Sequence, residues 1–397
     1  MLSTTARPLI EATVPVLLAN GEAITRHFYA RMFSHNPDLK NLFNMGNQAS
    51  GNQAQALAGA VYAFAKHMDK PEIIGPVLDR IAHKHVSLGI TPAQYTIVGR
   101  HLMASLGEVL GAAITSEIAA AWDEVYWLMA TELVAREARL YQERDWQAGQ
   151  AWPVMDVAHK EVTSADTVAL TLKPRDGAAL PDFVPGQYLS VALPIPEAGL
   201  TQVRQYSLSD APGKDAWRIT VKHVAEGDTA PAGAVSSRIH RSIEVGDQIR
   251  VGPPAGDFCL QGDTRPIALI SAGVGITPMV SMLRHLAATQ AERPVLFAYA
   301  TATADRYPHR DEVEACVDAL EDARYHLWLE DDAGSDPQAR PGRMNLDSVE
   351  LPADGDFYLC GPLPFMQEQR RKLLDQDVAR DRIHYEVFGP DLFAELQ

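Results

Sequence analysis

Two histidines stand two residues apart in the stretch IAHKHVSLG, residues 81–89. An imidazole can titrate near neutral pH or hold a metal through one ring nitrogen. At about 100° per residue, Ile74, Val77, Leu78, Ile81, His85 and Leu88 share one helical stripe. Asp79, Arg80, His83 and Ser87 share the opposite one. His85 therefore faces a core, and His83 is expected to face water. Phase alone leaves two roles open for His85: a core histidine bonded to a carbonyl, or a ligand. Two further polar residues lie on apolar stripes. Gln53 is in line with Leu57, Ala60 and Phe64. Glu137 is in line with Trp122, Tyr126, Met129, Leu133 and Leu140. A buried carboxylate is costly unless it is hydrogen-bonded or paired. Tyr95 (in phase with Val98, Leu102 and Leu106), the second nitrogen of His85, and Lys84 are the donors available to Glu137. Alternatively, Gln53 and Glu137 sit at stripe edges and reach solvent.

A second kind of chemistry lies downstream. In ISAGVGITPM, residues 270–279, Gly273 and Gly275 either allow the backbone to approach a ligand or simply form a tight turn. Thr277 and Pro278 are expected to cap and open a helix whose N–H groups attract an anion. LCGPLPFM, residues 359–366, puts a Gly–Pro turn after a strand, where open α/β sheets place their ligands. In RQYSLS, residues 204–209, Arg204 could pair with a diphosphate. Tyr206 offers an aromatic face and Ser207 a hydroxyl, although taken alone the stretch reads as an ordinary surface strand with alternating polar residues. AGAVSSRIH, residues 232–240, reads as another glycine-led helix start.

The elements that must position these residues fall into three textures. Residues 1–145 read as all helix, with Thr91, Pro92 and Gln94 forming a helix start. ERDWQAGQAWP, residues 143–153, reads as a linker. Residues 152–262 are short, β-rich segments punctuated by Pro and Gly, as in an antiparallel barrel or sandwich. Residues 263–397 alternate strand and helix, which implies a doubly wound α/β domain with a parallel sheet. A chain of 397 residues suits two to three domains. The formal net charge of −16 argues against nucleic acid or anionic membrane as partners. Three scattered cysteines fit a reducing cytoplasm without structural disulfides. No apolar run is long enough to span a bilayer, and the N-terminus lacks the marks of a signal peptide.

Taken in order, GQY (186–188), RQYS (204–207), AGVGITP (272–278) and CGP (360–362) resemble the ferredoxin–NADP reductase-like flavoproteins. The resemblance covers about 150–397. It implies FAD in the barrel, against Tyr188, Arg204, Gln205, Tyr206 and Ser207. It implies NAD(P)H in the α/β domain, at Ala272, Gly273, Val274, Gly275, Ile276 and Thr277. YEVFGPDLF (385–393) looks like the segment that such reductases lay against the flavin, with Val387, Phe388, Gly389 and Pro390 there. HFYARMFSHNPDLKNLFNMGNQ (27–48) and HKHVSLGITPAQYTIVGRHL (83–102) resemble a globin, and the full chain resembles the bacterial flavohaemoglobins. That resemblance makes His85 the proximal ligand of haem b, with Tyr95 and Glu137 as its hydrogen-bonded partners. It makes Tyr29 and Gln53 the distal pair and Leu57 the apolar gate beside them.

A histidine whose other nitrogen donates to a carboxylate is a more electron-donating ligand, suited to activating O₂. A flavin splits the electron pair of a hydride into single electrons that a haem can accept. The family resemblance implies an NAD(P)H-dependent nitric oxide dioxygenase that turns NO and O₂ into nitrate. It would be a cytoplasmic protein, with a monomer as the expected state and no obligate protein partner. Two other readings are an O₂ or NO sensor or store, and a flavin reductase serving external acceptors with a purely structural helical domain. The fused reductase and the lack of a visible output module count against a sensor. The choice between NADH and NADPH stays open, because Asp305 and Arg306 point in opposite directions.

Overall fold

Helix-forming apolar stripes dominate the first part of the chain, and helices form there. In the computed structural model, which describes residues 2–46, 51–227, 232–331, 334 and 336–389, the order begins α1 (Ala6–His35), α2 (Asn52–His67), α3 (Pro71–Leu88), α4 (Pro92–Leu110) and α5 (Ser116–Glu143). Their stripes meet in one core around Phe28, Met32, Leu78, Trp122 and Leu133. Burial of each such side chain is worth about 1.5–3 kcal/mol. The helix start at Thr91 is a full capping box: Thr91 and Gln94 satisfy each other's backbone N–H groups, and Pro92 opens the helix. α3 stops at Gly89, whose φ of 71° needs a residue without Cβ strain.

The middle of the chain forms β1 (Val154–Ser164), β2 (Thr167–Pro174), β3 (Tyr188–Ile195), β4 (Leu200–Ser207), β5 (Trp217–Lys222), α6 (Ala234–Ser242) and β6 (Gln248–Val251). The strands form an antiparallel sheet in the order β4-β3-β6-β1-β2-β5. A bridge between Leu208 and Ile219 ties the end of β4 to β5, closing the sheet toward a barrel. α6 begins after Gly233, as the AGAVSS stretch leads one to expect.

The last part forms β7 (Ile267–Ala272), α7 (Ile276–Thr289), β8 (Val295–Thr301), α8 (Arg310–Ala319), β9 (Ala323–Leu329), β10 (Ala339–Pro341), β11 (Asp356–Cys360), α9 (Leu363–Asp375) and β12 (Ile383–Glu386). The sheet is parallel, in the order β10-β9-β8-β7-β11-β12. It has an apolar core on each face, one built with Met279, Leu283 and Val313, the other with Leu346 and Leu373. This is the doubly wound arrangement. Its order reverses at β7, which lies between β8 and β11. No helix among the described residues is long and apolar enough to cross a membrane.

Candidate functional site

The helical unit brings three of the singled-out residues together. His85 Nδ1 lies 2.7 Å from Glu137 Oε1 and 2.8 Å from the Tyr95 hydroxyl. The Tyr95 hydroxyl donates to the same carboxylate oxygen. Glu137 is buried, at 2% exposure, so its charge is balanced by these donors rather than by solvent. Burial, and then the Glu137 charge, push the Tyr95 phenol far above its ordinary value, so it stays a donor. Tyr95 is itself held by packing. Tyr126 on α5 donates to the Tyr95 carbonyl, and a Cβ on Gly99 would lie 2.5 Å from the Tyr126 ring. Gly99 therefore permits the close approach of α4 to α5 that sets Tyr95 against Glu137. With Nδ1 committed to the carboxylate, Nε2 is the nitrogen left to His85 for a metal.

On α1 and α2 a cavity of about 290 Å³ is lined by Tyr29, Phe33 and Ala54, with Arg26 and Gly51 also at its wall. Tyr29 is buried and packs against Phe28, Phe33 and Phe43. Gln53 precedes Ala54, and its Oε1 is buried without a hydrogen-bond partner among the described residues. Leu57 is partly buried against the same core. An unsatisfied amide oxygen next in sequence to a cavity-lining residue suits a polar ligand, because a buried unpaired oxygen costs about 1–3 kcal/mol. The imidazole with one free nitrogen and this orphaned amide fit a haem and its ligand.

Most of the face of α3 opposite His85 is covered by other parts of the chain, and of Asp79, Arg80, His83 and Ser87 only Asp79 stays exposed. His83 Nδ1 accepts the Gly256 N–H at 3.3 Å, and Ser87 is fully buried. Arg80 stacks on Tyr385, with its guanidinium 4.8 Å from the ring centroid, and donates to the Tyr385 hydroxyl at 3.1 Å. The polar stripe is a docking face for the other two units. Helical phase separates the two faces of α3 correctly but cannot tell solvent from a polar interface. Lys84 is likewise not a donor to Glu137. It donates to Gln205 Oε1 at 2.6 Å and lies 5.8 Å from the Tyr188 ring centroid. Burial lowers its pKa to about 8, against the opposing pull of Glu386. Its pairing with the RQYS strand was missed because nothing local in HKH points to a residue 121 positions away.

In the barrel, the GQY and RQYS stretches are paired: Tyr188 lies opposite Ser207 and Leu189 opposite Tyr206. Gly186 has a φ of 104°, and a Cβ there would fall 1.9 Å from the Phe258 carbonyl oxygen. Among the described residues, Arg204 donates only to the Val203 carbonyl and to Gln202 and makes no ion pair. Burial lowers its pKa, a cost that a diphosphate would relieve. In the parallel sheet, AGVGITP ends β7 and CGP ends the neighbouring β11. A Cβ on Gly275 would lie 2.3 Å from the Cys360 carbonyl oxygen, so the two motifs touch only because residue 275 is glycine. Gly273, with φ 54°, turns the chain, and its carbonyl accepts from Tyr299 at 3.2 Å. Thr277 does not cap the helix. α7 opens at Ile276 after a short 3₁₀ turn, and the Thr277 hydroxyl bonds back to the Val274 carbonyl at 3.0 Å. β12 runs beside β11 with Glu386 opposite Cys360, which brings Val387, exposed Phe388 and Gly389 to the same end of the sheet. Pro390 lies outside the described residues.

Comparison with known proteins agrees with this division of chemistry. Residues 26–133 match the globin family model. Residues 154–259 match the oxidoreductase FAD-binding domain, and 269–371 the oxidoreductase NAD-binding domain. The flavohemoprotein of Bordetella parapertussis is 48% identical over 401 residues, covering 98% of this chain and 99% of that protein. That of Rhizobium meliloti is 43% identical over 405 residues and covers all of both. A solved flavohemoglobin from Malassezia yamatoensis, with bound FAD and heme, superposes with a TM-score of 0.89 at 32% identity, covering 98% of this chain and 100% of that one. The FAD/NAD-binding domain of nitric oxide dioxygenase from Vibrio cholerae superposes with a TM-score of 0.57 at 38% identity, over 61% of this chain and 100% of that one. The resemblance read from the motifs is borne out, and the chain belongs to the flavohemoprotein family, an NAD(P)H-dependent oxidoreductase in which a globin domain is joined to its own FAD- and NAD-binding reductase.

Proposed function

We propose that this protein is a nitric oxide dioxygenase that converts NO and O₂ to nitrate with NAD(P)H as the electron source. The observation that carries the reading is the His85–Glu137–Tyr95 cluster, with Glu137 and Tyr95 buried, in which His85 stands on a helix whose other face is docked on the FAD- and NAD-binding units. When bound, haem supplies the one-electron site at which O₂ reacts, and FAD turns the electron pair of a hydride into single electrons.

The chain's own residues have separable tasks in this reading. His85 holds the metal through Nε2. Glu137 accepts the Nδ1–H, which fixes the tautomer and makes the ring a stronger donor. Tyr95 donates to the same carboxylate and keeps it oriented. Tyr29 and Gln53 supply a hydroxyl and an amide to the O₂ side of the cavity, where charge develops during reaction. Leu57 limits access with an apolar surface.

Tyr188, Arg204, Gln205, Tyr206 and Ser207 hold FAD, and Val387, Phe388, Gly389 and Pro390 cover it. Ala272–Thr277 hold the dinucleotide, with backbone N–H groups at the start of α7. The units that divide this labour are 1–145, 152–262 and 263–397. O₂ and NO are the only partners needed, and the protein works as a monomer in the cytoplasm.

An absorbance spectrum tests the reading. The oxidised protein should show a Soret band with flavin absorbance, and NADH under CO should convert the Soret band to that of the ferrous CO complex. A flavin-only spectrum after haem supplementation, or a Soret band that NADH leaves unchanged, would overturn it.

A further inference from the structure

The contact between the flavin unit and the nucleotide unit is held by an ionic cluster that the reaction scheme above does not use. Its centre is Glu312 on α8. Arg218 on β5 reaches it in a two-pronged pair, with Nη1 2.8 Å from Oε1 and Nη2 2.9 Å from Oε2. Arg284 on α7 donates to Oε2 as well. His309, 5% exposed and in left-handed backbone at the start of α8, lies with Nδ1 2.9 Å from Oε1. The other nitrogen of His309 is 2.7 Å from the Thr220 hydroxyl, which is 2.9 Å from the Ser209 hydroxyl. Arg284 also pairs with Asp210 at 2.8 Å, and the Ser281 hydroxyl donates to the Asp210 carbonyl at 2.7 Å.

The placement of these groups in the chain gives the cluster its meaning. Ser209 and Asp210 directly continue the strand that carries RQYS. Ser281 and Arg284 lie on the helix that begins with AGVGITP. The cluster therefore ties the strand of the flavin motif to the helix of the nucleotide motif. Hydride transfer needs the donor carbon of the nicotinamide and the acceptor nitrogen of the flavin to meet within about 3–3.5 Å, and a misplacement of about 1 Å can cost on the order of 100-fold. A bidentate guanidinium pair fixes orientation as well as distance.

We propose that Glu312 and Arg284 are positioning residues that set the register of the nicotinamide against the flavin. In the step they serve, the C4–H bond of the dihydronicotinamide breaks, the hydride adds to the flavin, and NAD(P)H is oxidised by two electrons. The inference rests on the reading of the chain as an NAD(P)H-dependent reductase and not on what the haem does.

Anaerobic stopped-flow reduction of the FAD-loaded protein by NADH tests it. In Glu312→Gln, the limiting rate of flavin reduction should fall about tenfold or more. The concentration of NADH at half-saturation and the FAD content should change less than about twofold. Arg284→Met should behave alike, and the double variant should be no slower than the worse single one, since both break one clamp. Arg284→Met leaves the Arg218 pair in place, so it carries the test if Glu312→Gln does not retain FAD. Glu312→Asp should recover part of the rate. Unchanged limiting rates per bound flavin in Arg284→Met, with only a lowered Tm, would overturn the proposal. Failure of NADH to reduce the flavin of the unaltered protein would instead overturn the reductase reading.

Discussion

His85 Nδ1 and Glu137 Oε1 stand 2.7 Å apart, and the carboxylate is closed off from solvent. The histidine is thereby held in one tautomer, with its proton on the side away from the remaining ligand nitrogen. Glu137→Gln keeps the shape and removes the charge. The expected result is loss of about 10- to 100-fold in NO turnover, as for other groups that orient a metal ligand. The iron–histidine stretching frequency in the ferrous protein should fall with it. Turnover and stretching frequency both unchanged would show that the pair does not tune the ligand.

His85→Ala separates the helical unit from the reductase. Haem content and NO consumption should be lost together, while NADH-driven reduction of a dye or of cytochrome c persists. If NO consumption survives without haem, the chemistry lies in the reductase instead.

Gly275→Ala should damage nucleotide handling alone. The new Cβ would need to occupy space 2.3 Å from the Cys360 carbonyl, which is backbone and cannot swing aside. Forced shifts of this kind cost about 1–3 kcal/mol. NADH reduction of the flavin should slow at least tenfold with FAD still bound, and wild-type reduction kinetics would refute the tight contact of the two motifs.

Acid should loosen the seam between flavin and nucleotide units. Burial alone would raise the pKa of Glu312, but the bonds from His309 and Arg218 overcome it and hold the carboxylate well below its ordinary value of 4.5. A depressed folded-state pKa means that its stabilisation is complete above pH 4.5, declines progressively below that, and is lost only as pH falls through the lower folded-state value. The thermal stability of Glu312→Gln, lower at neutral pH, should therefore approach that of the wild type progressively as pH falls below 4.5. Parallel curves across the acid range would contradict this.

Local patterns in the sequence carry much of this architecture. The stripes containing His85, Tyr95 and Glu137 place three polar residues on core-facing sides, and the core then has to satisfy them together. The order of GQY, RQYS, AGVGITP and CGP is legible as a pattern of strand ends and glycine turns, although the contacts that require Gly186 and Gly275, with the Phe258 and Cys360 carbonyls, are long-range. Relationships between units are not legible in this way. Helical phase turns His83 and Arg80 away from the globin core, but their partners Gly256 and Tyr385 lie on other units. Lys84 reaches Gln205, and Glu312 gathers Arg218 and Arg284, through contacts that only the packed chain creates. A polar surface destined for another domain has the same periodicity as one destined for water.

The central claim is that this chain oxidises NO at the expense of NAD(P)H and O₂. The most direct measurement follows NO with an electrode in the haem- and FAD-loaded protein supplied with NADH and O₂, and assays nitrate at the end. Each nitrate formed from NO and O₂ takes up one electron, and each NADH supplies two. The account predicts rapid NO loss with two nitrate formed per NADH consumed. NADH oxidation that leaves NO untouched, in a protein whose haem is reduced, would contradict it.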